Sequence, residues 1–579
     1  MSFLLRFRTA FGAARPEFVR VTRRALRARG LAWGTMARRK KEKERAPAPA
    51  GRHAHLDFVA GAALCLALAA WLNFSHGRIA DTDSFYHYRH AWVYATEGLT
   101  HADFPWTRFS VIRTLAADLW YGLHVLMIPL TWMSNPVAAL KLGSFFTTAS
   151  ALILFYVAQR RAGAAWPLLG TLVFLFATAD LLYRATMLRP HPISLGLTLL
   201  VFADLVAEPI PSGRGRPLRL MAAAAAIAWL HLAVAWLPLM VLAVVVAVRA
   251  VRRARVDVAG AAAVGAGVVI GWLLRPHAWA ALKLAYIQVA YLSLQHQGHV
   301  PLRFGRELTP FHYTELHKQL PGLLLLLAVG LLVLAALWRK MDPGIGVWTS
   351  LVLWPIFFVL AFTVFRRANE VMVAFAVTFL GLLAVRVRHA LGEGGPLRGV
   401  LATWPGTLAA LALAIGLLIM PVMTLARFFV FLPNAFDPDR FRAASVWIAE
   451  HSAPGDVVFS ADWDRFGQLF FWNPKSHYIH GMDPIFMYAY DPKLYWKSHY
   501  IAEDKVTSFT CGDIRCNAAV GEDMLTVLQR DFQASFVLLE YGRNPKLIAY
   551  LDKAPGFQRV FDTSYEVVFR VSTARIAER

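Results

Sequence analysis

Residues 320–338 read LPGLLLLLAVGLLVLAALW, a run without a single charged side chain. A helix of about 20 apolar residues is long enough to cross the hydrocarbon core of a bilayer. Similar apolar runs occur along most of the chain, at 57–75, 137–158, 165–182, 192–207, 218–234, 236–249, 257–274, 346–364, 369–386 and 400–422. The sequence therefore predicts a polytopic α-helical membrane protein with about eleven transmembrane helices.

The composition agrees with this class of protein. Of the 579 residues, 57% are hydrophobic and only 17% are charged, whereas soluble domains usually carry about 25% charged residues. The net charge of +23 is concentrated in the N-terminal tail and in short loops between apolar runs, as in proteins that keep Lys and Arg on the cytoplasmic side. This placement argues against nucleic-acid binding. Binding of the tail to anionic lipid headgroups is a second interpretation of its charge.

The basic loops also predict the topology. If the apolar run 119–133 crossed the membrane, the basic segments 159–161, 214–219 and 249–255 would all lie outside. If it does not cross, all of them lie inside, as the charge rule requires. We therefore interpret 119–133 as an interfacial or re-entrant helix, which makes the N-terminus cytoplasmic and the C-terminus extracytoplasmic.

This topology divides the chain into predicted domains: a basic cytoplasmic extension 1–56, a transmembrane domain 57–424 with outer loops 76–136 and 275–319, and a C-terminal domain 425–579. The last region alternates helix-like stretches with short strand-like ones, which predicts an extracytoplasmic α/β domain. Cys511 and Cys516 allow a disulfide there but do not require one. The abundance of Arg and Ala suggests a bacterial source, and so localisation in the cell membrane.

The first outer loop begins with RIADTDSFYHYR at residues 78–89. Carboxylate oxygens are the ligands that Mg²⁺ and Mn²⁺ prefer, and an Asp can also cap the helix that follows. We expect Asp81 to be the cap and Asp83 to be the metal ligand.

Three further outer segments carry charges that a simple connection does not need. The segment YRATMLRPHP at 183–192 and the turn FRRANE at 365–370 are basic on the predicted outer side, which favours anion binding. Snorkelling of the arginines to lipid phosphates is the alternative. In the long loop 275–319, Glu315 stands just before an apolar run. Together these segments suit a lipid with a phosphate or diphosphate head and a divalent cation.

At this point the sequence resembles the GT-C membrane glycosyltransferases, most closely the catalytic subunit of oligosaccharyltransferases. The segment 83–89 is similar to the first-loop motif of that family, in which an Asp precedes aromatic residues and a Tyr-Arg pair. The resemblance implies that Asp83 is the catalytic and metal-binding aspartate, that Arg89 contacts substrate and that Glu315 is a second acid on a substrate-gating loop, 277–318.

The same resemblance implies roles for four other positions. Arg366 or Arg367 falls where the family binds the donor's diphosphate. His191 stands near an acidic pair of the family, which suggests a nitrogen ligand and favours Mn²⁺ over Mg²⁺. The sequence DWD at 462–464 resembles the family's Trp-Trp-Asp acceptor motif, with Asp in place of the first Trp.

The sequence thus predicts an enzyme, a glycosyltransferase that moves a sugar or oligosaccharide from a polyprenyl phosphate or diphosphate to an extracytoplasmic protein or lipid acceptor. Asp83 and Glu315 are the predicted catalytic residues, and these two with His191 the predicted ligands of Mn²⁺ or Mg²⁺. The predicted substrate-binding residues are Arg89, Arg189, Arg366, Arg367, Trp463 and Asp464. The alternatives are a GT-C enzyme acting on lipid or surface polysaccharide, and a non-catalytic lipid-glycan transporter.

Overall fold

A computed structural model of the chain describes residues 52–303, 305–391, 404–504 and 508–572. Most of the predicted extension 1–56 lies outside the described residues. The chain divides into two units, Met1–Gly61 and Ala62–Arg579, and the first contributes only the beginning of helix α1 to the description.

The helices before residue 432 include one or more in each apolar run and several in the loops between the runs. They are α1 (Arg52–Phe74), α2 (Asp83–Glu97), α3 (Val111–Leu115), α4 (Tyr121–Met127), α5 (Pro136–Ala162), α6 (Pro167–Leu175), α7 (Ala179–Ala185), α8 (His191–Leu205), α9 (Gly215–Leu230), α10 (Trp236–Val251), α11 (Val258–Leu273), α12 (Ala278–Tyr286), α13 (Leu292–Gln297), α14 (Leu316–Gln319), α15 (Pro321–Leu337), α16 (Gly344–Thr363), α17 (Ala368–Leu391) and α18 (Trp404–Phe431).

The protein is a polytopic helical membrane protein, as predicted, and the count of about eleven spans stays a prediction. Within the described ranges, six helices are long and apolar enough to cross a membrane, or up to eight if two bent helix pairs each count as one span. Helix α8 has 15 residues, and at about 1.5 Å per residue such a helix is shorter than a hydrocarbon core of about 30 Å. The apolar runs therefore identify helices, and helix length identifies those that can cross the membrane alone.

The two bent pairs redirect the chain near the site described below. Helices α6 and α7 meet at 100°, and α11 meets the helical segment 278–297, which contains α12 and α13, at 107°. The run 119–133 forms α4 and a 3₁₀ turn, Ile128–Trp132, and neither is long enough to cross a bilayer.

The basic loops predicted to share one side of the membrane are held together at one end of the helices. The carboxylate of Asp204, at the end of α8, lies 2.5 Å from Nε of Arg161 and 3.4 Å from Nε of Arg219. Arg216 donates to the carbonyl oxygen of Asp204 at 2.8 Å and lies 2.5 Å from the carboxylate of Asp257. The loops after α5, α8 and α10 therefore lie at a common end.

The C-terminal region is a mixed α/β domain, as predicted. Its five-stranded sheet has the order β2-β1-β5-β7-β6, with β1 parallel to β2 and β5, and β7 antiparallel to β5 and β6. Its elements are α19 (Arg442–His451), β1 (Val457–Ser460), α20 (Phe466–Trp472), β2 (His477–Tyr478), α21 (Pro484–Tyr490), α22 (Pro492–Ala502), β3 (Phe509–Thr510), β4 (Glu522–Asp523), α23 (Met524–Thr526), β5 (Ala534–Glu540), α24 (Pro545–Leu551), β6 (Phe557–Asp562) and β7 (Glu566–Val571).

The cysteines of this domain form the disulfide that the sequence allowed. Cys511 and Cys516 are bonded, with their Cα atoms 5.4 Å apart, while Cys65 is free and buried.

The first outer loop packs into the C-terminal domain. Ile79 and Phe436 exchange two backbone hydrogen bonds of 2.8 Å, and the amide of Tyr478 donates to the carbonyl of Trp106 at 2.7 Å. The rings of Phe85 and Phe471 meet edge to face at 5.3 Å. The segment that carries Asp83 is therefore fixed by the domain that follows the last membrane helix.

Gly467 sets how closely helix α20 approaches this segment. A Cβ at Gly467 would overlap the carbonyl oxygen of Thr82 and lie 3.5 Å from the amide nitrogen of Tyr86. We predict that Gly467→Ala lowers stability by about 1–3 kcal/mol through this overlap, although Ala is the better helix former. Thermal unfolding in detergent measures the effect. The control is Gly542→Ala, because a Cβ at Gly542 meets nothing within 4 Å; equal melting temperatures for the two variants would contradict this account of the docking.

Candidate active site

A cavity of about 530 Å³ lies where the start of α2, the turn between α7 and α8, the turn between α16 and α17, and the loop near residue 307 meet the C-terminal domain. Pockets for small molecules usually measure about 300–1,000 Å³. The predicted site residues that line it are Asp83, Arg189, His191, Arg366, Arg367, Trp463 and Asp464. The structure thus brings together residues from four separate parts of the sequence.

Arg189 joins two carboxylates at the polar end of this cavity. Its Nε lies 2.5 Å from Oδ2 of Asp81, and its Nη2 lies 2.8 Å from Oδ2 of Asp83. The hydroxyl of Ser84 donates to Asp81 and accepts from the amide of Leu188 at 3.1 Å. The predicted capping role of Asp81 is wrong, because Thr82 precedes α2 without a side-chain cap and Asp81 instead binds Arg189.

Glu307 is a cavity acid that the sequence analysis missed. Its carboxylate forms ion pairs with Arg184 and Arg367 and lies 3.3 Å from Nη1 of Arg189. Guanidinium groups bind carboxylates and phosphates through the same N–H donors. The only signal in the sequence is a single acid within the basic segment RFGRE at 303–307, which also describes an ordinary solvated loop.

Glu370, in the first turn of α17, is a second acid that the sequence analysis did not assign. It forms an ion pair with Arg184, and its other oxygen lies 3.4 Å from Nε2 of His191. Acids are favoured in the first turn of a helix. Charge is therefore nearly balanced within the cavity, because Arg184, Arg189 and Arg367 are each bound to at least one carboxylate.

Two predicted site residues lie outside the residues that line the cavity. Glu315 pairs with Arg366, with Oε2 and Nη2 2.7 Å apart, and Arg366 stacks on the ring of Phe311 at 4.3 Å. Arg89 donates through Nε to the carbonyl of Phe471 at 3.0 Å and lies 4.9 Å from the ring of Trp92. Glu315 is joined to the site through Arg366, and Arg89 fastens α2 to the C-terminal domain.

A chain of hydrogen bonds connects the buried Asp118, through His124, to His87 in the cavity wall. Nδ1 of His124 lies 2.6 Å from Oδ2 of Asp118, and Nε2 of His124 lies 2.8 Å from Nδ1 of His87. An ionised carboxylate only accepts, so His124 donates from Nδ1 and its Nε2 accepts the proton of His87. This order leaves Nε2 of His87 without a proton, so this atom can accept a hydrogen bond. The residue His87 lines the cavity.

The same buried region offers a group that could hold a metal ion. His90, Asp118 and His124 each present a ligand atom, and these atoms lie within 4.8 Å of one another. Nitrogen and oxygen ligands of this kind suit several first-row divalent ions. In the described part of the chain, the predicted set Asp83, Glu315 and His191 forms no such group, because Glu315 is held by Arg366 outside the cavity.

Burial shifts the acids at the cavity towards their protonated forms. It raises the pKa of Asp83, with Arg189 opposing the rise, and it raises the pKa of Asp464, with Arg465 opposing. Burial likewise raises the pKa of Asp483, which lines the cavity and accepts from the amide of Ile485 at 3.1 Å, to about 6. Asp483, with a pKa of about 6, can therefore exchange a proton close to neutral pH.

Three solved structures are similar to this chain along most of its length. ArnT from Cupriavidus metallidurans in the apo state is 14% identical, with 90% of this chain and 98% of ArnT covered and a TM-score of 0.46. The same protein bound to undecaprenyl phosphate matches at 14% identity, with 91% and 99% covered and a TM-score of 0.45. The arabinofuranosyltransferase AftD from Mycobacteria matches at 14% identity, with 89% of this chain and 41% of AftD covered and a TM-score of 0.46.

Neither of these two proteins is described as an oligosaccharyltransferase, so that part of the resemblance stays a prediction. No protein-family model matches the chain, and a comparison with curated proteins finds no match.

The raised pKa of Asp483 predicts a pH dependence of stability. The folded protein keeps this proton up to about pH 6, whereas the unfolded chain releases it near the ordinary value of 3.8. Raising the pH through this window therefore costs the folded state stability, on the order of 2–3 kcal/mol. Asp483→Asn should remove this loss, and melting temperatures of both proteins between pH 4 and 7 measure it. Parallel pH profiles for the two proteins would refute the assignment.

Proposed function

We propose that the protein is a glycosyltransferase that moves a sugar or oligosaccharide from a polyprenyl phosphate or diphosphate donor to an extracytoplasmic acceptor. The observation that carries this proposal is that the cavity has both a charged part and a mostly apolar part. Acids and arginines meet around Arg189, while most of the remaining lining is apolar. The apolar side chains include Leu195, Val234, Trp236, Leu237, Leu292 and Phe357.

The two linings suit the two parts of a lipid-linked donor. Arg184, Arg189 and Arg367 would bind the phosphate through charge-assisted hydrogen bonds. The apolar wall, formed by helices of the membrane domain, would take the start of the polyprenyl chain. A soluble sugar nucleotide would leave this apolar surface without a partner.

We assign the chemical step to Asp83. The acceptor's nucleophilic oxygen or nitrogen would attack the anomeric carbon of the donor sugar and transfer its proton to the Asp83 carboxylate. The bond from the anomeric carbon to the phosphate oxygen would break, and its electron pair would stay on the phosphate. The arginines would stabilise this developing charge. Burial raises the pKa of Asp83, which makes its carboxylate more basic than that of an exposed Asp and so better suited to accept a proton.

The acceptor would enter from the C-terminal domain. Trp463 and Asp464 line the cavity from that domain, opposite the arginines of the membrane domain. We propose that they position the acceptor, a protein or a lipid, on the extracytoplasmic side of a bacterial cell membrane, with the N-terminus in the cytoplasm. No step is assigned to Mg²⁺ or Mn²⁺, because Asp83, Glu315 and His191 do not form one site. The dependence of activity on these ions that the sequence predicts is measured in the test below.

The test is transfer of a labelled sugar from a pool of undecaprenyl-linked donors to peptide and lipid acceptors, by purified protein in lipid. We predict that Asp83→Asn lowers the rate at least about a hundredfold, since a positioned general base contributes about 10²–10⁴-fold. Each reaction is run with Mg²⁺, with Mn²⁺ and with a chelator. The matched control is Asp103→Asn, which changes an exposed acid of the same outer loop and should leave the rate unchanged.

Two results would count against the proposal. Full activity of Asp83→Asn would remove Asp83 from the chemistry. Movement of intact lipid-linked sugar across the bilayer by both variants, without transfer to any acceptor, would instead favour a transporter.

A further inference from the structure

Three arginines from separate parts of the chain converge on one carboxylate in the cavity. Arg184 lies in the last turn of α7, Arg189 lies on the connection from α7 to α8, and Arg367 lies on the turn before α17. All three bind the side chain of Glu307, which belongs to none of these elements. These are the guanidinium groups that would hold the donor's phosphate, so the anion site is already filled by a residue of the protein itself.

The segment that carries Glu307 is fastened at both ends. On the membrane side, the amides of Arg366 and Arg367 donate to the carbonyls of Thr309 and Glu307, at 2.9 and 3.2 Å, and the amide of Phe311 donates to the carbonyl of Ala361 at 2.9 Å. These bonds hold the backbone of 307–311 against the turn that presents Arg367.

At its other end the segment is tied to the C-terminal domain. The guanidinium of Arg303 lies 3.6 Å from the carboxylate of Asp462 and 3.3 Å from that of Glu503. The backbone amide of Arg303 donates to the hydroxyl of Tyr495 at 3.0 Å. These contacts of Arg303 and Glu307 are polar, and the two side chains are 41% and 24% exposed, while Leu308 packs against the apolar core. Polar, partly exposed contacts of this kind open at lower cost than packed core.

A phosphate and the Glu307 carboxylate cannot use the same N–H donors at once. A guanidinium binds either anion in the same planar fork. The phosphodiester of a polyprenyl-phosphate sugar offers two oxygens and one negative charge, as a carboxylate does, and free polyprenyl phosphate, a monoester, offers a third oxygen and more charge. A donor that reaches the arginines would therefore compete directly with Glu307 for its three partners.

We propose that Glu307 occupies the place of the donor's phosphate in the donor-free protein, and that donor binding displaces Glu307 together with residues 305–309. This inference rests on the proposed function, because it takes the three arginines as the phosphate site. Displacement would also break the hydrogen bonds that the amides of Arg366 and Arg367 donate to this segment. It would open space in the cavity next to Trp463. A lipid without an anionic head has nothing to exchange for Glu307, so the segment would stay closed against it.

The first experiment compares the binding of undecaprenyl phosphate by wild-type protein and by Glu307→Gln in lipid nanodiscs. The amide keeps the shape of the side chain and removes the charge that competes for the arginines. If the site is closed for about 90–99% of the time, the variant should bind about ten- to a hundredfold more tightly. Glu450→Gln removes the same charge from an exposed site on α19 and should bind like the wild type. Melting temperatures establish that each variant is folded.

The second experiment separates displacement from a simple loss of negative charge. Hydrogen exchange of the wild-type protein is followed with and without undecaprenyl phosphate. We expect faster exchange at the amides of Arg366, Arg367 and Phe311 when the lipid is bound, because their acceptors move away or the segment loosens. Unchanged or slower exchange at these amides, with the lipid bound, would overturn the displacement.

The two proposals fail in different ways. Equal affinity of wild type and Glu307→Gln for undecaprenyl phosphate would overturn the role of Glu307 and leave the phosphate site intact. Absence of binding by both folded proteins would overturn the phosphate site, and with it the inference.

Discussion

The ion pairs of Arg189 hold the candidate active site together. The Arg189 side chain is 14% exposed, and it binds Asp81, Asp83 and Glu307, which belong to two other parts of the sequence. A buried charge without a partner is expensive, and removing one member of a buried pair typically costs about 3–5 kcal/mol. The start of α2, the α7–α8 connection and the loop after α13 are therefore bound to one another by a single guanidinium, and the cavity exists where they meet.

The charged residues on the predicted outer side explain how much of this site the sequence could predict. Arg189 and Arg367 stood out because arginines on the side predicted to be extracytoplasmic break a rule that the other loops obey. Asp83 stood out because it follows the first apolar run. Glu307 did not, since an acid in a long polar loop looks the same whether water or three arginines surround it.

The choice between the two acids of that loop depends on contacts that no local pattern encodes. Glu307 and Glu315 lie on the same segment, and the path of the backbone decides which one enters the cavity. That path is set by the bonds of Thr309 to Arg366 and of Phe311 to Ala361, which join positions far apart in the sequence. For the fold, apolar periodicity identified the helices reliably, but their lengths and the two sharp bends depend on packing against neighbouring helices.

The bend between α11 and the segment 278–297 has a consequence for how substrate is found. The segment 278–297 is bent by 107° from α11, and its exposed Trp279 and Tyr286, at 73% and 55%, are residue types enriched at membrane interfaces. Residues Leu292 and His296 at its far end line the cavity. Under the proposed function, this segment would lie along the bilayer surface, the cavity would open at the depth of the headgroups, and the lipid donor would reach it by diffusing in two dimensions. Its occupancy would follow the surface density of that lipid in one leaflet, so a change in membrane composition would act on the protein as directly as a change in concentration acts on a soluble enzyme.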